Sequence, residues 1–369
     1  MAASLFREVL DKYFARVIGA ISERYNGKGS EPTFLHKSML NEEYSADLIW
    51  GSTQINHSIV AADVVSLDSS LPLKKRGVIS NASGKLPKIG ILYEKGEQFV
   101  QDVNAMMVRG VDEATIVSKI MDDVSKVIKG IETREEIMFL QALSTGYCLV
   151  GDGTDTDASN QGTGIRASFG YKSENFFKAT KAKWETTATA TPITDIQQLF
   201  DKASEDGNDI AKVLISQKYI DLMRQTTEGK QCVADYRGLV VTSKTDLATP
   251  SRPAMVEALG NYFGVEFQVI NANYKVEGLD GTVKNAESWH LPNIVAVPTE
   301  KVGRLVYGSL VEETYPVDDV NYQKSGNYIL VSKFSDKNPW REYTAGQALA
   351  IPVIDGGDSI YVLQADQTA

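Results

Sequence analysis

The side chains that most often perform chemistry in proteins are few in this sequence and lie far apart. The chain contains three histidines, His36, His57 and His290, and two cysteines, Cys148 and Cys232. The histidines do not have the spacing of a zinc site, and two distant cysteines do not indicate a disulfide framework. Because Cys148 stands in an apolar run, we expect it to be an unreactive core thiol.

Residues 151–164 form the segment that most resembles a ligand site. Asp152, Asp155 and Asp157 alternate there with glycine and threonine, as carboxylates do in calcium-binding loops. The glutamate that closes the twelve-residue calcium loop is missing, so the pattern favours a polar hairpin or a surface loop. A calcium-dependent adhesive or tail protein is the alternative.

Adjacent carboxylates occur in several places, and such a pair could supply an acid and a base. On a helix, neighbouring side chains diverge by about 100° and do not face each other, which favours solvated or salt-bridged carboxylates over catalysis. The sequence also lacks a Walker loop, a dinucleotide fingerprint and a nucleophile elbow. We therefore predict a protein that is not an enzyme, with no catalytic residue, no cofactor and no metal site; an enzyme built on the α/β region is the alternative. The pairs considered are Asp122 with Asp123, Glu135 with Glu136, and Asp318 with Asp319.

Length and charge narrow the class of protein. With 369 residues, the chain is long enough for two compact domains. Its 38 basic and 48 acidic residues give a net charge of −10, which argues against dedicated nucleic-acid binding and leaves only weak, non-specific contact with DNA. Charged residues interrupt the first 25 positions, so these do not form a signal peptide, and no later stretch has the pattern of a membrane span. We expect a protein of the reducing cytosol.

The longest element that the sequence predicts is a helix from Asp112 to Gly146. Asp112 suits the amino-terminal cap, and Gly146 suits the end, since glycine readily adopts the left-handed conformation. At 1.5 Å per residue the helix would be about 50 Å long, which indicates a spine lying along a sheet. A core helix with a kink at Gly130 is the alternative. Its apolar face comprises Ile116, Ile120, Val124, Val127 and Ile131, and its charged outer face comprises Lys119, Asp122, Asp123, Lys126 and Lys129.

An amphipathic helix is predicted for residues 3–25, and a glycine-containing break follows at residues 26–30. A helix separated in this way can be an arm that docks on a neighbouring molecule. It can equally well pack on its own domain, and the sequence leaves both interpretations open.

Residues 67–96 differ from their surroundings, because they combine turn-forming residues with a cluster of positive charge. The pattern predicts strands at residues 78–79 and 89–92, joined by a turn at residues 81–84. An isolated hairpin is poorly stable in water, so we expect this one to project and to lie on another chain; a solvated loop is the alternative. The candidate contact residues between subunits are Lys74, Lys75, Arg76, Lys85 and Lys88.

From residue 194 onward, helical and strand patterns alternate, which predicts a mixed α/β domain. After Tyr307 the patterns are mostly those of strands. The predicted helices in these regions and before the long helix cover residues 97–109, 195–203, 217–225 and 255–263. The predicted strands cover residues 211–215, 238–241, 266–270, 294–297, 328–333, 347–354 and 359–363.

Two parts of the chain resemble the major capsid (head) proteins of tailed bacteriophages, close to the lambda-type group. The first part reads LPKIGILYEKG, followed by a helix and by IVSKIMDDVSKVIKGIETREEIMFLQALSTG. The second reads LVYGSLVEETYPVDDVNYQKSGNYILVSKFSDKNPWREYTAGQALAIPVI, with Lys333, Asn338, Pro339 and Trp340 in a polar strand. The similarity covers residues 60–150 and 290–365 and lies in the order and character of the segments.

The resemblance implies an α+β fold of the phage major capsid protein type with five segments. These are an N-terminal arm and lead-in (1–66), an extended β-hairpin loop (67–96), a peripheral domain that contains the spine helix 112–146 (97–193), an α/β axial domain (194–306), and return strands that complete the peripheral domain (307–369).

The resemblance also implies a structural role. Copies of the chain would self-assemble into hexamers and pentamers of an icosahedral head that encloses the viral genome. Such a protein lies in the virion capsid after assembly in the host cytoplasm, and portal, scaffold and decoration proteins are further candidate partners. The lysine–asparagine bond that joins subunits in some relatives has no matching motif here. An encapsulin-like compartment shell, which uses the same fold to hold a cargo enzyme, is the alternative.

Overall fold

The computed structural model of the chain describes residue 4 and residues 6–25, 34–53, 81–150, 165–239, 247–271, 273–277, 281–286 and 288–369. The chain divides into two compact units. Unit 1 comprises Met1–Trp50, Gly84–Met138 and Arg304–Pro352, and unit 2 comprises Gly51–Ser83, Phe139–Gly303 and Val353–Ala369.

The described residues form helices and strands, which are numbered separately in chain order. The helices are α1 (Arg7–Tyr25), α2 (Leu35–Met39), α3 (Glu97–Val108), α4 (Glu113–Thr145), α5 (Pro192–Glu205), α6 (Gln217–Met223), α7 (Thr227–Tyr236), α8 (Arg252–Phe263) and α9 (Val311–Thr314). The strands are β1 (Leu40–Tyr44), β2 (Ile49–Thr53), β3 (Asn81–Lys85), β4 (Lys88–Gly96), β5 (Tyr147–Val150), β6 (Ile165–Ser168), β7 (Phe176–Ala179), β8 (Lys212–Ser216), β9 (Glu266–Ile270), β10 (Lys275–Glu277), β11 (Val283–Asn285), β12 (Asn293–Val297), β13 (Gly303–Gly308), β14 (Asn321–Ser325), β15 (Ile329–Lys337), β16 (Trp340–Ile354) and β17 (Tyr361–Thr368).

Unit 1 contains a six-stranded sheet in the order β1-β13-β16-β15-β14, with β4 also paired to β16. Strand β16 is the longest, and it runs antiparallel to both β15 and β4. The sheet therefore joins residues near 90 to residues near 340, far apart in the sequence. Such non-local pairing cannot be read from local patterns, although β4, β15 and β16 themselves lie where strands were predicted.

Helix α4 confirms the predicted long helix and differs from it by one residue at each end. The amide of Thr115 donates a hydrogen bond to the Asp112 carboxylate at 3.2 Å, and Gly146 has a left-handed φ of +81°. Every member of the predicted apolar row is 6% exposed or less. The helix continues through Gly130, where a Cβ would lie 3.1 Å from Ile91 Cδ1. Glycine at this position thus allows β4 to approach the helix.

The middle of α4 packs on the sheet of unit 1. At Gly346 of β16, a Cβ would lie 2.9 Å from Val127 Cβ and 3.2 Å from Ile131 Cδ1. This strand glycine is therefore required by the close approach of the helix, not by a turn.

Helix α1 packs within its own unit. Its buried side chains recur every four residues, and the ring of Phe6 meets that of Phe99 edge to face with centroids 6.2 Å apart. The helix contacts β14, which lies in the same unit. These contacts favour the second of the two interpretations left open by the sequence, in which the helix packs on its own domain. The buried residues are Leu10, Phe14 and Ile18 of the helix and Phe6, which directly precedes it.

The predicted hairpin at residues 78–92 is wrong in its turn and in its pairing. Residues 81–84, predicted as the turn, lie in strand β3, which pairs with β2 in a separate two-stranded sheet. Residues 89–92 are a strand, as predicted, but β4 pairs with β16 of the main sheet and does not project. The error arises because the partner of β3 lies about thirty residues earlier in the chain. Residues 78–79 lie outside the described residues.

Unit 2 contains a five-stranded sheet in the order β7-β17-β12-β8-β9. The outer pairs, β7 with β17 and β8 with β9, are parallel, whereas β12 runs antiparallel to both of its neighbours. Every residue of β12 is buried, as expected for a central strand. Side chains from four helices complete the core with the sheet, among them Ile196, Leu199, Ile220, Val233, Met255 and Leu259.

This alternation of helices and strands confirms the mixed α/β prediction, with two differences. Helix α7 was not predicted. Gly238 and Leu239, predicted to begin a strand, instead end this helix: Gly238 has a φ of +65°, and the Leu239 amide donates to the Ala234 carbonyl at 3.0 Å. A glycine that terminates a helix and a glycine that precedes a strand give the same local signal.

Candidate assembly ribbon and buried charge clusters

The sheet formed by β2 and β3, which we call the ribbon, is the element that most directly suggests a contact outside the chain. Its two strands pair with each other and with no other described strand. At its base, the Leu86 amide donates to the Leu48 carbonyl at 2.9 Å. Trp50 lies so close to Gly84 that a Cβ there would be 2.9 Å from Trp50 Nε1. A two-stranded ribbon is marginally stable alone in water, so a further surface would stabilise it.

The predicted contact residues fall into three groups. Lys74, Lys75 and Arg76 belong to the segment 54–80 that connects the two strands of the ribbon, outside the described residues. Lys85 is exposed at the end of β3. Lys88 lies in β4, where its ammonium is 3.6 Å from the Glu312 carboxylate.

A buried cluster of ionisable groups in unit 1 is formed by α2, α4 and Tyr328, the residue that precedes β15. His36 is 1% exposed, and its ring has a carboxylate at both nitrogens: Nδ1 lies 2.7 Å from Glu136 Oε2, and Nε2 lies 3.7 Å from Glu135 Oε2. The amides of Leu35 and His36 donate to Glu136 at 3.0 and 2.9 Å, so this carboxylate closes the amino-terminal end of α2. The Tyr328 hydroxyl donates to Glu135 Oε2 at 2.8 Å.

The prediction that the paired carboxylates of the long helix are solvated or salt-bridged is confirmed for Asp122 and Asp123, which both form an ion pair with Lys126. The burial of carboxylates at two sites of the helix was not predicted. Glu135 and Glu136 are both buried, and although they diverge along the helix they reach the same imidazole from opposite sides. Asp123, placed on the charged outer face by the sequence, is 5% exposed and forms ion pairs with Lys95 at 3.0 Å and Lys126 at 3.1 Å. A carboxylate on a covered helix face requires such partners, because an unpaired buried charge is strongly destabilising.

A second buried group lies where β15 and β16 face α4. The Lys333 ammonium is 2.9 Å from the Thr344 hydroxyl, 3.4 Å from the Ile120 carbonyl and 3.9 Å from the Glu342 carboxylate. Burial lowers the pKa of Lys333 to about 8. The hydroxyl of Ser4 donates to Glu342, which ties the start of the chain to this strand.

These arrangements have the character of structural clusters. Within the described residues, no group of three or more histidine, cysteine or carboxylate side chains is placed to hold a metal ion. Both cysteines are buried, and burial raises the pKa of Cys232 to about 11, which disfavours its thiolate. The predicted acidic loop with Asp152, Asp155 and Asp157 lies outside the described residues.

The His36 cluster predicts a specific pH dependence of stability. Burial raises the pKa of Glu135 from 4.5 to about 8. Between these values the folded chain keeps a proton that the unfolded chain has lost, so the free energy of unfolding falls as pH rises. For Glu135→Gln, which cannot ionise but can still accept from Tyr328, we expect this fall, on the order of 3 kcal/mol, to be largely absent.

Urea unfolding at several values between pH 5 and pH 8 measures this effect. Glu8→Gln, at an exposed glutamate of the same unit, is the control and should keep the slope of the wild-type protein. Equal slopes for Glu135→Gln and the wild-type protein would contradict the assignment.

Comparison with known proteins agrees with this architecture. The family model described as phage major capsid protein E matches residues 20–356. The chain is similar in structure to a prophage protein of Escherichia coli CFT073 assigned as a capsid protein, with 16% identity, a TM-score of 0.56 and 99% of both chains covered. It is also similar to a phage-related protein from Bordetella bronchiseptica RB50, with 11% identity, a TM-score of 0.50, and 95% of this chain and 96% of that chain covered. The comparison with curated proteins gave no match.

The described part of the chain contains no helix that is long and apolar enough to cross a membrane. The resemblance to phage capsid proteins was inferred from two parts of the sequence. The family model confirms it over nearly the whole length of the chain. The two structural likenesses show the same α+β fold. The chain therefore belongs to the phage major capsid protein E family and is a structural protein of the bacteriophage capsid shell.

Proposed function

We propose that copies of this chain self-assemble into hexamers and pentamers, which close an icosahedral head around the viral genome. The observation that supports this most strongly is the ribbon, whose strands have no other described partner strand and which carries a basic connecting segment. If each copy places its ribbon on the next copy, the contact is heterologous and closes into a ring. Assembly would take place in the host cytoplasm.

Each of the five segments of the chain then has a defined position in the subunit of the shell. Helix α4 is the spine of the peripheral domain, residues 1–48 are the N-terminal arm and lead-in, residues 194–306 form the axial domain, and residues 307–369 return to the peripheral domain. We place the extended loop at residues 49–85 instead of 67–96, because β4 belongs to the main sheet. Lys74, Lys75 and Arg76 remain proposed contacts, together with the exposed Lys85; Lys88 contributes less, since it already has a partner.

Further partners follow from the role of a head protein. Portal, scaffold and decoration proteins are candidates, and contact with packaged DNA is weak and non-specific because the chain carries a net charge of −10. The shell itself requires no catalysis by this chain.

Particles purified from cells that carry the gene test this proposal. We expect the chain to be the most abundant protein of the particles, and DNA that sediments with them to survive nuclease treatment. Particles that hold a single cargo enzyme and no DNA would contradict the genome-enclosing role and support the compartment alternative.

A further inference from the structure

One surface of unit 1 combines exposed apolar side chains with acidic ones. It is formed by residues 44–49 and 309–319, and we call it the apolar–acidic surface. Val311 and Tyr315 are 72% and 75% exposed. They lie one helical turn apart, with the Tyr315 amide bonded to the Val311 carbonyl at 2.8 Å, so they share a face. Val317 follows them and is also exposed.

The two chain segments of this surface are direct neighbours. The Tyr44 hydroxyl lies 3.1 Å from the Ser309 hydroxyl, and the Ser45 amide donates to the Tyr307 carbonyl at 2.8 Å. Tyr44 and Ile49 are about half exposed, which extends the apolar area towards the base of the ribbon. Grouped exposed apolar side chains of this kind mark interaction sites more often than scattered ones do.

Three carboxylates lie beside these apolar side chains, and two of them have an ion-pair partner at a distance beyond that of a hydrogen bond. Asp319 is 3.5 Å from the Arg7 guanidinium, and Glu312 is 3.6 Å from the Lys88 ammonium. Asp318 is exposed. Ion pairs at the protein surface contribute little to stability, so a better-placed cation could replace these partners.

Backbone strain is a second, independent observation on this surface. Leu48 and Asp319 are the non-glycine residues with positive φ among the described residues, at +58° and +65°. Both lie in the apolar–acidic surface. Such conformations are energetically unfavourable for non-glycine residues and are concentrated at functional sites.

A segment of complementary chemistry exists in the same chain. Residues 71–76 read Leu-Pro-Leu-Lys-Lys-Arg, so apolar side chains are followed directly by three cations. They belong to the segment 54–80, whose ends are fixed by the two strands of the ribbon. An extended chain spans up to about 3.5 Å per residue, so this segment can reach out and return over roughly 45 Å, far enough to meet another molecule.

We propose that the apolar–acidic surface is the receptor for residues 71–76 of a second copy of this chain. This inference rests on the proposed function and names the surface through which neighbouring subunits are joined. The leucines cover Val311, Tyr315 and Val317, while the lysines and the arginine approach Glu312, Asp318 and Asp319. Every copy gives one segment and receives one, so the contacts can close into a ring.

Charge reversal on each side tests the pairing. The receptor variant is Glu312→Lys with Asp318→Lys, and the segment variant is Lys74→Glu with Lys75→Glu. We expect each variant alone to yield at least tenfold fewer shells than the wild-type chain, as measured by gradient sedimentation and negative-stain microscopy. A chain that carries all four substitutions should recover shells, because the opposite charges face each other again.

An equimolar mixture of the two variants decides which molecule the segment binds. If the contact joins two copies, the mixture should recover rings of six, in which the two variants alternate and every segment meets a receptor of opposite charge; rings of five cannot alternate, so negative-stain microscopy scores six-membered rings instead of closed shells. Shells from the four-substitution chain together with no six-membered rings from the mixture would mean that the segment binds its own chain, which overturns the proposal.

The control carries the same change of net charge on exposed residues of unit 2, Asp209→Lys with Glu300→Lys, and should assemble normally. If this control also loses shells, or if the receptor and segment variants assemble like the wild-type chain, the proposed receptor surface is wrong. Wild-type shells in the same experiment would leave the capsid function intact. For variants that fail to fold in a thermal melt, Glu312→Gln with Asp318→Asn is the milder test and should lower the shell yield in the same direction.

Discussion

Replacing residues 54–80 by a short glycine–serine linker is expected to abolish closed shells while both units stay folded. The deletion starts after β2 and ends before β3, so the strands of the ribbon and the sheet of unit 1 keep their residues. It removes the basic cluster at residues 74–76. It also removes the length of chain that residues 71–76 need in order to contact another copy. We expect a soluble monomer or a small ring in sedimentation velocity experiments, with the far-ultraviolet spectrum and thermal transition of the wild-type chain.

A larger deletion of residues 70–92 serves as the contrast. It also removes β3 and half of β4, whose residues pair with β16 along the main sheet, so it should destabilise unit 1 itself. Shells of normal size and yield from the 54–80 deletion would show that the ribbon segment has no role in joining subunits.

The substitution Gly346→Val is expected to destabilise the protein by about 3 kcal/mol. A single added Cβ would already lie 2.9 Å from Val127 Cβ and 3.2 Å from Ile131 Cδ1. Two further methyl groups therefore force α4 away from the sheet or force side chains out of their rotamers. Gly90→Val is the matched control, since Gly90 lies on the neighbouring strand, and a Cβ there meets only the Gly346 carbonyl oxygen at 3.7 Å.

A double-mutant cycle separates this clash from a general effect of valine. Val127→Ala removes two methyl groups from the helix face that Gly346 meets and should cost about 2 kcal/mol alone. Combined with Gly346→Val, it should recover part of the lost stability, so the effects should not add. Strict additivity in chemical unfolding would contradict the packing of α4 on β16 described here.

Local sequence patterns were sufficient to predict the helices and strands whose apolar residues all face a single core. The row from Ile116 to Ile131 predicted α4 because a helix that covers a sheet needs an apolar residue at every turn, and all of these residues are buried. Strand β12 was predicted from a short apolar run, and it is the central strand of unit 2. The capping residues Asp112 and Gly146 act within a few residues of themselves, so they too could be identified.

Features that depend on distant partners could not be predicted in this way. Residues 81–84 have the composition of a turn, but β2 makes them a strand. The spacing of residues around His36 does not predict its partners, because Glu135 and Glu136 lie on a helix about one hundred residues later in the chain. Glutamates beside a buried helix face are the signal that could have indicated such a cluster, since a covered carboxylate needs a partner.

The most direct test of the central claim, that this chain builds a shell from its own copies, is cryo-electron microscopy of the purified wild-type protein after concentration under assembly conditions. We predict closed particles whose wall is resolved into rings of six and of five copies, with each ribbon lying on an adjacent copy. A protein that stays a single monomeric species at every concentration, ionic strength and pH tested, or particles in which each ribbon touches only its own chain, would contradict the account.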